Sequence, residues 1–168
     1  MVPARSSVHA EARSGLHPIR VQTDGIEGFI ELAMKDDAID LTLKPRARIE
    51  LDAELLKTGN SLYDRELESR LQVNRYPRVR GEVSQVSHLG GNRYYLTGTL
   101  ALHGVTHQVE GEVKLKVSAD ADELQIEGEQ TIDMRDFGLQ PPKLLMLRVH
   151  PEVKLRGRVV AKREGQGS

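Results

Sequence analysis

A long hairpin pattern constrains this chain more than any other feature of its sequence. From Arg93 to Val117, RYYLTGTLALHGVTHQVEGEVKLKV, apolar and polar residues alternate with a period of two on both sides of Leu102–His107. Such alternation is typical of strands with one buried face and one face in solvent. Gly98 and Gly111 stand in the middle of the two apolar faces, where a strand ordinarily resists glycine. The pattern predicts two adjoining strands with a bend, or a space kept open, at the glycines.

Alternating segments of the same kind recur along the rest of the chain. They lie at Ser7 to Ala12, Pro18 to Thr23, Ile26 to Met34, Ile39 to Leu51, Val79 to Val86, Leu124 to Met134 and Val149 to Ala161. Asp24-Gly25, between the second and third of these segments, is a strong hairpin signal. Pro45 cannot donate to a strand ladder, so it predicts an edge, a bulge or a break within the longest segment.

The period changes between Asp52 and Arg75, where leucines recur at helical spacing. Asn60 to Asp64 offers a helix cap, and Ser61 followed by Asp64 makes a weak capping box. These signals predict a single short helix near Ser61 to Leu71.

The count of segments predicts the fold class. About eight antiparallel strands, one helix inserted after the fourth and no βαβ rhythm indicate an all-β, closed, eight-stranded antiparallel up-and-down barrel rather than a sandwich. At 168 residues the chain is expected to form one domain, residues 1–168, with 1–6 and 163–168 frayed. A barrel of eight strands either fills its lumen with side chains or holds one small ligand.

Composition excludes several classes of function. Charged residues make up 29% of the chain but nearly cancel to a net charge of -1, so charge implies no nucleic-acid or anionic-membrane partner. Without cysteine, disulfides and thiolate metal sites are absent. No apolar run reaches the roughly 18 residues of a membrane span. The opening residues carry no secretory signal, so a cytoplasmic protein is expected; a chain trimmed of its leader would look the same and would be periplasmic or secreted.

Glycine recurs on the apolar face of six predicted strands. These glycines are Gly28, Gly81, Gly98, Gly111, Gly128 and Gly157. Each of them relieves strain where a barrel strand coils, or together they widen a lumen lined by aliphatic side chains. The sequence leaves both explanations open.

Candidate catalytic and metal-binding residues are few. His103 and His107 would stand about 13 Å apart on a straight strand, too far to share a metal, and are interpreted as polar residues of a turn. Arg135-Asp136 is interpreted as an ion pair that braces the chain where it leaves a strand. No nucleophile elbow or phosphate-binding glycine loop is present. We expect no enzyme activity, metal or cofactor, although a hydrolase or isomerase using His103, His107 or Arg135 remains an alternative.

Four phrases of the sequence resemble the YceI-like family. They are Thr58-Gly59-Asn60 followed by Asp64 and Leu67, Tyr76-Pro77 at the start of a strand, LTGTLALHGVTHQV, and RDFGL at Arg135–Leu139. Their order and spacing match from about Ser7 to Ala161. The chain departs from the family pattern at Glu66, where histidine is usual, at Gly81, where an aromatic is usual, and in lacking tryptophan.

The resemblance implies a lipocalin-like barrel whose apolar tunnel holds a long lipid, such as a polyisoprenoid, an isoprenoid quinone or a fatty-acid-like chain. The candidate ligand-binding residues are Ile26, Ile30, Leu41, Ile49, Val83, Leu96, Gly98, Leu100, Gly111, Val113, Ile126, Gly128, Phe137, Met146 and Leu155. Met146 belongs to the apolar run Leu144–Leu147, which is interpreted as core closure or as an entrance.

Two classes of function follow. In the first, the protein binds, transports or stores a long-chain amphiphile without catalysis. In the second, the barrel is filled with its own side chains, and the protein acts through its outer surface or through a homodimer interface.

Overall fold

The computed structural model describes residues 6–15, 17–36, 38–118, 122–141, 143–144 and 147–163. The strands are β1 Ser7–Ser14, β2 Ile19–Thr23, β3 Ile26–Glu31, β4 Met34–Lys35, β5 Ala38–Ile39, β6 Arg46–Asp52, β7 Arg78–Gly90, β8 Arg93–Leu102, β9 Val105–Val117, β10 Glu123–Asp133, β11 Lys143–Leu144 and β12 Leu147–Lys162. One α-helix, α1 (Ser61–Leu71), and two 3₁₀ turns, Ala53–Leu55 and Met134–Phe137, complete the described elements.

One large antiparallel sheet forms the wall of the molecule. Its strand order is β2-β1-β12-β10-β9-β8-β7-β6-β3, with β11 paired to β12 and with β4 and β5 forming a separate two-stranded sheet. The two edge strands of the large sheet, β2 and β3, are consecutive in the chain, so the sheet curls into a nearly closed barrel. The predicted all-β barrel with one inserted helix is therefore confirmed.

The predicted hairpin at Asp24-Gly25 is wrong. Every pairing along the sheet is antiparallel, so strand direction alternates, and the nine strands of the path give β2 and β3 the same direction. The chain passes from β2, paired with β1, straight on into β3, paired with β6. The two segments act as one bent strand, so the nine strands of the path occupy eight positions around the barrel; the number of strands is therefore larger than the eight predicted.

A short bridge holds the inserted segment against β2. The N–H of Gln22 donates to the carbonyl of Lys57 at 3.0 Å, and the N–H of Lys57 donates back at 3.3 Å. Leu55, just before this bridge, packs over Gly25, where a β-carbon would stand 2.5 Å from the leucine Cδ1. The segment that leads into α1 therefore helps to close the barrel where β2 passes into β3.

The segment Ile39 to Leu51 is not one strand. It divides into β5 and β6, separated by a turn at residues 40–45 in which the Asp40 carboxylate accepts from the N–H of Thr42 at 3.0 Å. The break predicted at Pro45 is confirmed, because β6 begins directly after it. Leu41 lies in this turn, is 38% exposed and faces a groove beside Tyr95 and Thr97, so its predicted place in the lumen is wrong.

A bulge shifts the faces of β7. Val83 pairs with Gly98 and Gln85 with Thr97, which leaves Ser84 as an extra residue. As a result Val83 and Val86 both point to the same side of the sheet, although simple alternation would put them on opposite sides.

Helix α1 closes one end of the barrel. Its predicted bounds, Ser61 to Leu71, are confirmed. The cap is Asn60, whose side chain accepts from the N–H groups of Leu62 and Tyr63, rather than a box between Ser61 and Asp64. Buried Leu71, Phe137 and Leu139 pack together at this end, with half-buried side chains around them that include Leu67, Leu100, Leu102 and Met134.

The ends of the described chain are held in place. Ser6 is fully buried, and its hydroxyl accepts from the N–H of Val160 at 3.0 Å. The N–H of Arg163 donates to the carbonyl of Asp122 at 2.7 Å. The fraying predicted for residues 1–6 and 163–168 therefore does not hold at Ser6 or Arg163; the rest of those two segments lies outside the described residues, as do Leu145 and Met146.

The barrel interior as a candidate ligand site

The inner face of the barrel follows from the strand registers, because residues paired across a ladder share a face. One row of pairs joins Ile30, Ala47, Val83, Gly98 and Val109. A second joins Gly28, Ile49, Gly81, Leu100 and His107, and a third joins Thr23, Val8, Gly157, Gly128, Val113 and Tyr94. This face holds buried Ile26 and Tyr94, whereas the opposite face carries the arginines, lysines and glutamates.

Most of the candidate ligand-binding residues come together on this inner face. They are Ile26, Ile30, Ile49, Val83, Leu96, Gly98, Leu100, Gly111, Val113, Ile126, Gly128 and Leu155. Phe137 is fully buried in the packed end of the barrel, so it presents no accessible surface there. Leu41 is outside the barrel, and Met146 falls outside the described residues.

Several inward aliphatic side chains keep accessible surface. Ile30, Val83, Leu96, Ile126 and Leu155 are each half-buried rather than buried. Buried side chains on this face include Phe137 and Tyr94 near the ends of the barrel and Leu115 and Val159 along one wall. The middle of the inner surface therefore keeps apolar area that a ligand can cover.

The inward glycines fall into two groups. A β-carbon at Gly157 would meet no atom within 4 Å, and one at Gly81 would meet only the carbonyl oxygen of Thr99, at 4.0 Å. At Gly98 and Gly28, by contrast, it would stand 2.0 Å and 1.9 Å from a carbonyl oxygen of the neighbouring strand. Two of these glycines therefore leave space beside their backbone, and two allow neighbouring strands to approach closely.

Gly111 and Gly128 make room for neighbouring side chains instead. A β-carbon at Gly128 would lie 2.8 Å from Cγ1 of Val113, and one at Gly111 would lie 2.5 Å from Oε1 of Gln130. The first of these neighbours is aliphatic, and the second is the amide of a half-buried residue on the inner face.

His103 fastens the packed end of the barrel. It forms the hairpin turn between β8 and β9 with Gly104, and both residues have positive φ, 55° and 72°, as a type I′ turn requires. Its Nδ1–H donates to the carbonyl of Phe137 at 3.1 Å, which leaves Nε2 to accept from the side-chain amide of Gln72 at 3.1 Å. The prediction of a turn residue is confirmed for His103, and its contacts are structural.

His107 and Arg135 differ from their predicted places. His107 belongs to β9 opposite Leu100, with its Nε2 3.9 Å from a carboxylate oxygen of Asp136. Arg135 pairs with Asp133 at 2.6 Å rather than with Asp136, and this bond is the main cause that lowers the pKa of Asp133 to about 2. Within the described residues, no group of three or more His, Asp or Glu side chains is arranged to hold a metal ion.

The opposite end of the barrel carries aromatic and imidazole groups. Tyr94 is buried, its ring stacks on His88 with centroids 4.7 Å apart, and its hydroxyl accepts from the N–H of Ile39 at 3.0 Å. This bond holds the small sheet of β4 and β5 against the inner face at that end.

In the described strands of the large sheet, charged side chains lie on the outer wall. On that wall Arg78 donates to Glu50 and Asp52, and Arg93 to Glu112. The hydrogen bond from Arg78 is the largest cause that lowers the pKa of Glu50. Among the described inward positions of the large sheet there is no Asp, Glu, Lys or Arg. The interior is suited to apolar and neutral groups, not to ions.

Some inward residues were missed as site candidates although the sequence contains a signal for them. Gln130 is the one polar residue in the alternation Leu124, Ile126, Gly128, Gln130, Ile132, and an interruption of that kind marks a position worth testing. Tyr94 lies on the apolar side of β8, but nothing in the sequence shows that its hydroxyl reaches Ile39.

Comparison with known proteins places the chain in a family. The YceI-like domain matches residues 1–161, so the chain belongs to the YceI-like family. No helix in the described ranges has the length and apolarity to cross a bilayer.

Solved structures share the fold at low sequence identity. Burkholderia cenocepacia BcnA is 19% identical, with a TM-score of 0.83 over 96% of this chain and 99% of that one. A polyisoprenoid-binding domain from Saccharophagus degradans, implicated in plant cell wall breakdown, is 15% identical, with a TM-score of 0.76 over 96% and 95%. A Campylobacter jejuni YceI protein is 13% identical, with a TM-score of 0.72 over 88% and 86%. No curated protein matches the chain.

Proposed function

We propose that this protein binds a long-chain apolar amphiphile in the barrel lumen and carries or stores it without changing it chemically. The ligand is a polyisoprenoid, an isoprenoid quinone or a fatty-acid-like lipid. The observation that carries the proposal is the uncharged inner face, whose central aliphatic side chains are half-buried. On the same face, a β-carbon at Gly157 would meet no atom within 4 Å. The Saccharophagus degradans relative, described as a polyisoprenoid-binding domain, supports the same class of ligand.

Burial of the chain would supply the binding energy. Each methylene removed from water contributes about 0.8 kcal/mol, so ten of them give roughly 8 kcal/mol before costs. Association costs at least about 4 kcal/mol, so a short chain binds weakly and a long chain tightly. The ligand is therefore expected to be long.

The filled-barrel alternative has less support. A core plugged by aliphatic side chains would bury them, yet Val83, Leu96 and Leu155 keep accessible area. A β-carbon at Gly157 would also touch nothing, and a packed interior would not leave such a space.

The test begins with protein purified from several hosts and analysed by native mass spectrometry and solvent extraction. Retinol, an isoprenoid whose fluorescence changes on burial, is then titrated into the delipidated protein. We expect extracted lipid, retinol binding, or both. Protein that carries no lipid and takes up neither retinol nor a polyprenol would overturn the proposal.

A plugged variant separates lumen binding from surface binding. In Gly157→Leu the new side chain enters the space inside the barrel without a clash at its β-carbon, so we expect a folded protein with weakened retinol binding. Thr131→Leu adds the same bulk on the outer face of β10 and serves as the matched control. Equal retinol affinity in the two variants would place the ligand outside the lumen.

A further inference from the structure

Gln130 is the feature of the inner face that the proposed function does not yet use. It lies on β10 between Gly128 and Ile132, opposite Leu155, in a row completed by Ala10 and Val21. It is half-buried, and its side-chain amide makes no hydrogen bond within the described part of the chain. An amide on an apolar wall loses its bonds to water when a ligand covers it, so it needs a partner from that ligand.

Gly111, the neighbour of Gln130 on β9, leaves room for this amide. Oε1 lies over Gly111, at 2.5 Å from where a β-carbon would stand. Any other residue at position 111 would displace the amide, because β-carbons essentially never approach an oxygen so closely. The pair thus places an amide between the aliphatic side chains of Leu155 and Ile132 on the inner face.

The position of the Gln130 amide along the barrel axis determines which way a bound ligand would point. The row directly below, with Ile132, Val153, Ala12 and Ile19, joins the packed end of the barrel through Ala12, Ile19 and Val149. The row directly above contains Gly157 and Gly128, where the interior has space. A polar atom of the ligand bonded to Gln130 would therefore lie near the packed end of the barrel, and the apolar chain of the ligand would extend away from that end past Gly157 and Gly128.

We infer that Gln130, positioned by Gly111, determines ligand specificity by hydrogen-bonding an uncharged oxygen, a hydroxyl or a carbonyl, at the deep end of the bound chain. Among the described residues, the inward strand positions carry no lysine or arginine to pair a carboxylate or a phosphate. An ionised head group brought to this depth would lose its hydration without compensation, which is far more costly than the burial of a hydroxyl. This inference rests on the proposed function.

Three ligands with one branched chain test the inference: phytol, an alcohol, phytanate, a carboxylate, and phytane, a hydrocarbon. Each is titrated against retinol bound to the protein at about pH 8, where a carboxylic acid in water is ionised. We expect phytol to bind wild-type protein at least about tenfold more tightly than phytanate, because an unpaired buried carboxylate is costly.

Substitution of the amide should shift the affinities for phytol and phytane in opposite directions. Gln130→Leu should weaken phytol binding about fivefold, the value of one buried hydrogen bond, and should strengthen phytane binding, because no amide is then desolvated. A residue with only a structural role would not change the two ligands in opposite directions. Gln108→Leu, on the outer face of β9 opposite Thr99, is the matched control and should change neither.

Gly111→Ala provides a second variant, which keeps the amide but moves it. It should reduce the preference for phytol over phytane while retinol still binds. Unchanged phytol affinity in Gln130→Leu, or equal affinity of wild-type protein for phytol and phytanate, would overturn the inference and leave the proposed function intact. If no ligand, retinol included, binds the wild type, then the proposed function fails and the inference with it.

Discussion

At the scale of single residues, Gly98 and Gly157 lie on the same face of the sheet and are glycine for opposite physical reasons. Gly98 lets β8 come so close to β7 that a β-carbon would overlap the carbonyl oxygen of Glu82. Gly157 faces space. In the sequence both residues are glycines on the apolar side of a strand. Their roles can be distinguished only from the distance to the backbone of the neighbouring strand.

Alanine substitution should distinguish the two glycines. Gly98→Ala forces β7 and β8 apart and should lower the free energy of unfolding by about 1–3 kcal/mol, as overpacking does. Gly157→Ala should stay within about 0.5 kcal/mol of wild type, because its methyl group meets nothing. Urea unfolding followed by circular dichroism measures both. Equal losses in the two variants would contradict the close approach at Gly98.

The helix cap is a second residue-scale feature with a measurable effect. The Asn60 side chain accepts from the N–H of Leu62 at 3.0 Å and from that of Tyr63 at 3.3 Å. Asn60→Ala leaves these groups without that acceptor and should cost about 1 kcal/mol of stability in urea unfolding. Ser61→Ala, one position later and exposed, is the control and should cost less. A larger loss in the control would mean that the cap is misassigned.

At the scale of elements, the helix and the hairpins could be predicted where the signal is local. Helical spacing and a polar cap fix α1, and period-two alternation fixes β8 and β9. The hairpin predicted at Asp24-Gly25 is wrong because a turn dipeptide indicates only the local preference of the backbone. The direction of β2 and β3 depends instead on their pairing with β1 and β6. The bulge at Ser84 also depends on a partner strand, so alternation alone misassigns Val86.

The 3₁₀ turn Met134–Phe137 should respond to acid. Arg135 and its backbone N–H donate to Asp133, which holds the pKa of that carboxyl at about 2. A carboxyl pKa below its unfolded value of about 4 adds stability that is complete above that value and is lost as the pH falls through the folded pKa.

Asp133→Asn tests this contribution. In urea unfolding, wild type should be more stable than the variant at about pH 5, and the difference should shrink as the pH falls toward about 2, because the wild-type carboxyl then becomes neutral. The asparagine can still cap the turn, so the comparison isolates the charge. A difference that stays constant over this range would mean that the pairing with Arg135 contributes nothing to stability.

At the scale of the whole molecule, the barrel was predictable and its closure was not. Eight alternating segments and one helix indicate the architecture, but β2 and β3 share one position around the barrel, and the segment from β5 to β6 includes a turn outside it. Most predicted lumen residues meet on one face because alternation alone determines their side. The prediction for Leu41 is wrong because its segment leaves the sheet before Pro45. The alternation marks Gln130 as an exception, but only the folded chain shows that its amide has no partner.

A disulfide can test how the barrel closes. Gln22 and Lys57 exchange two backbone hydrogen bonds, an antiparallel pairing whose α-carbons are typically about 5.5 Å apart, within the range of a disulfide. The double variant Gln22→Cys with Lys57→Cys should oxidise without other thiols to compete, since the chain has no cysteine. The bond should raise the free energy of unfolding by about 2–4 kcal/mol relative to the reduced form of the same protein. Failure to oxidise in the folded state would show that the two segments do not meet.

The pairing of β1 with β12 brings together the two ends of the described chain, Ser7 beside Arg158. During synthesis β1 therefore cannot pair with β12 until β12 has been made. Until then the sheet from β6 to β10 has its apolar side uncovered. Barrel closure is then the slow, non-local step of folding, governed by contacts between residues far apart in sequence. If the protein binds a lipid as proposed, a lipid taken up before this step would be enclosed when the barrel closes, and loading and folding would then be a single event.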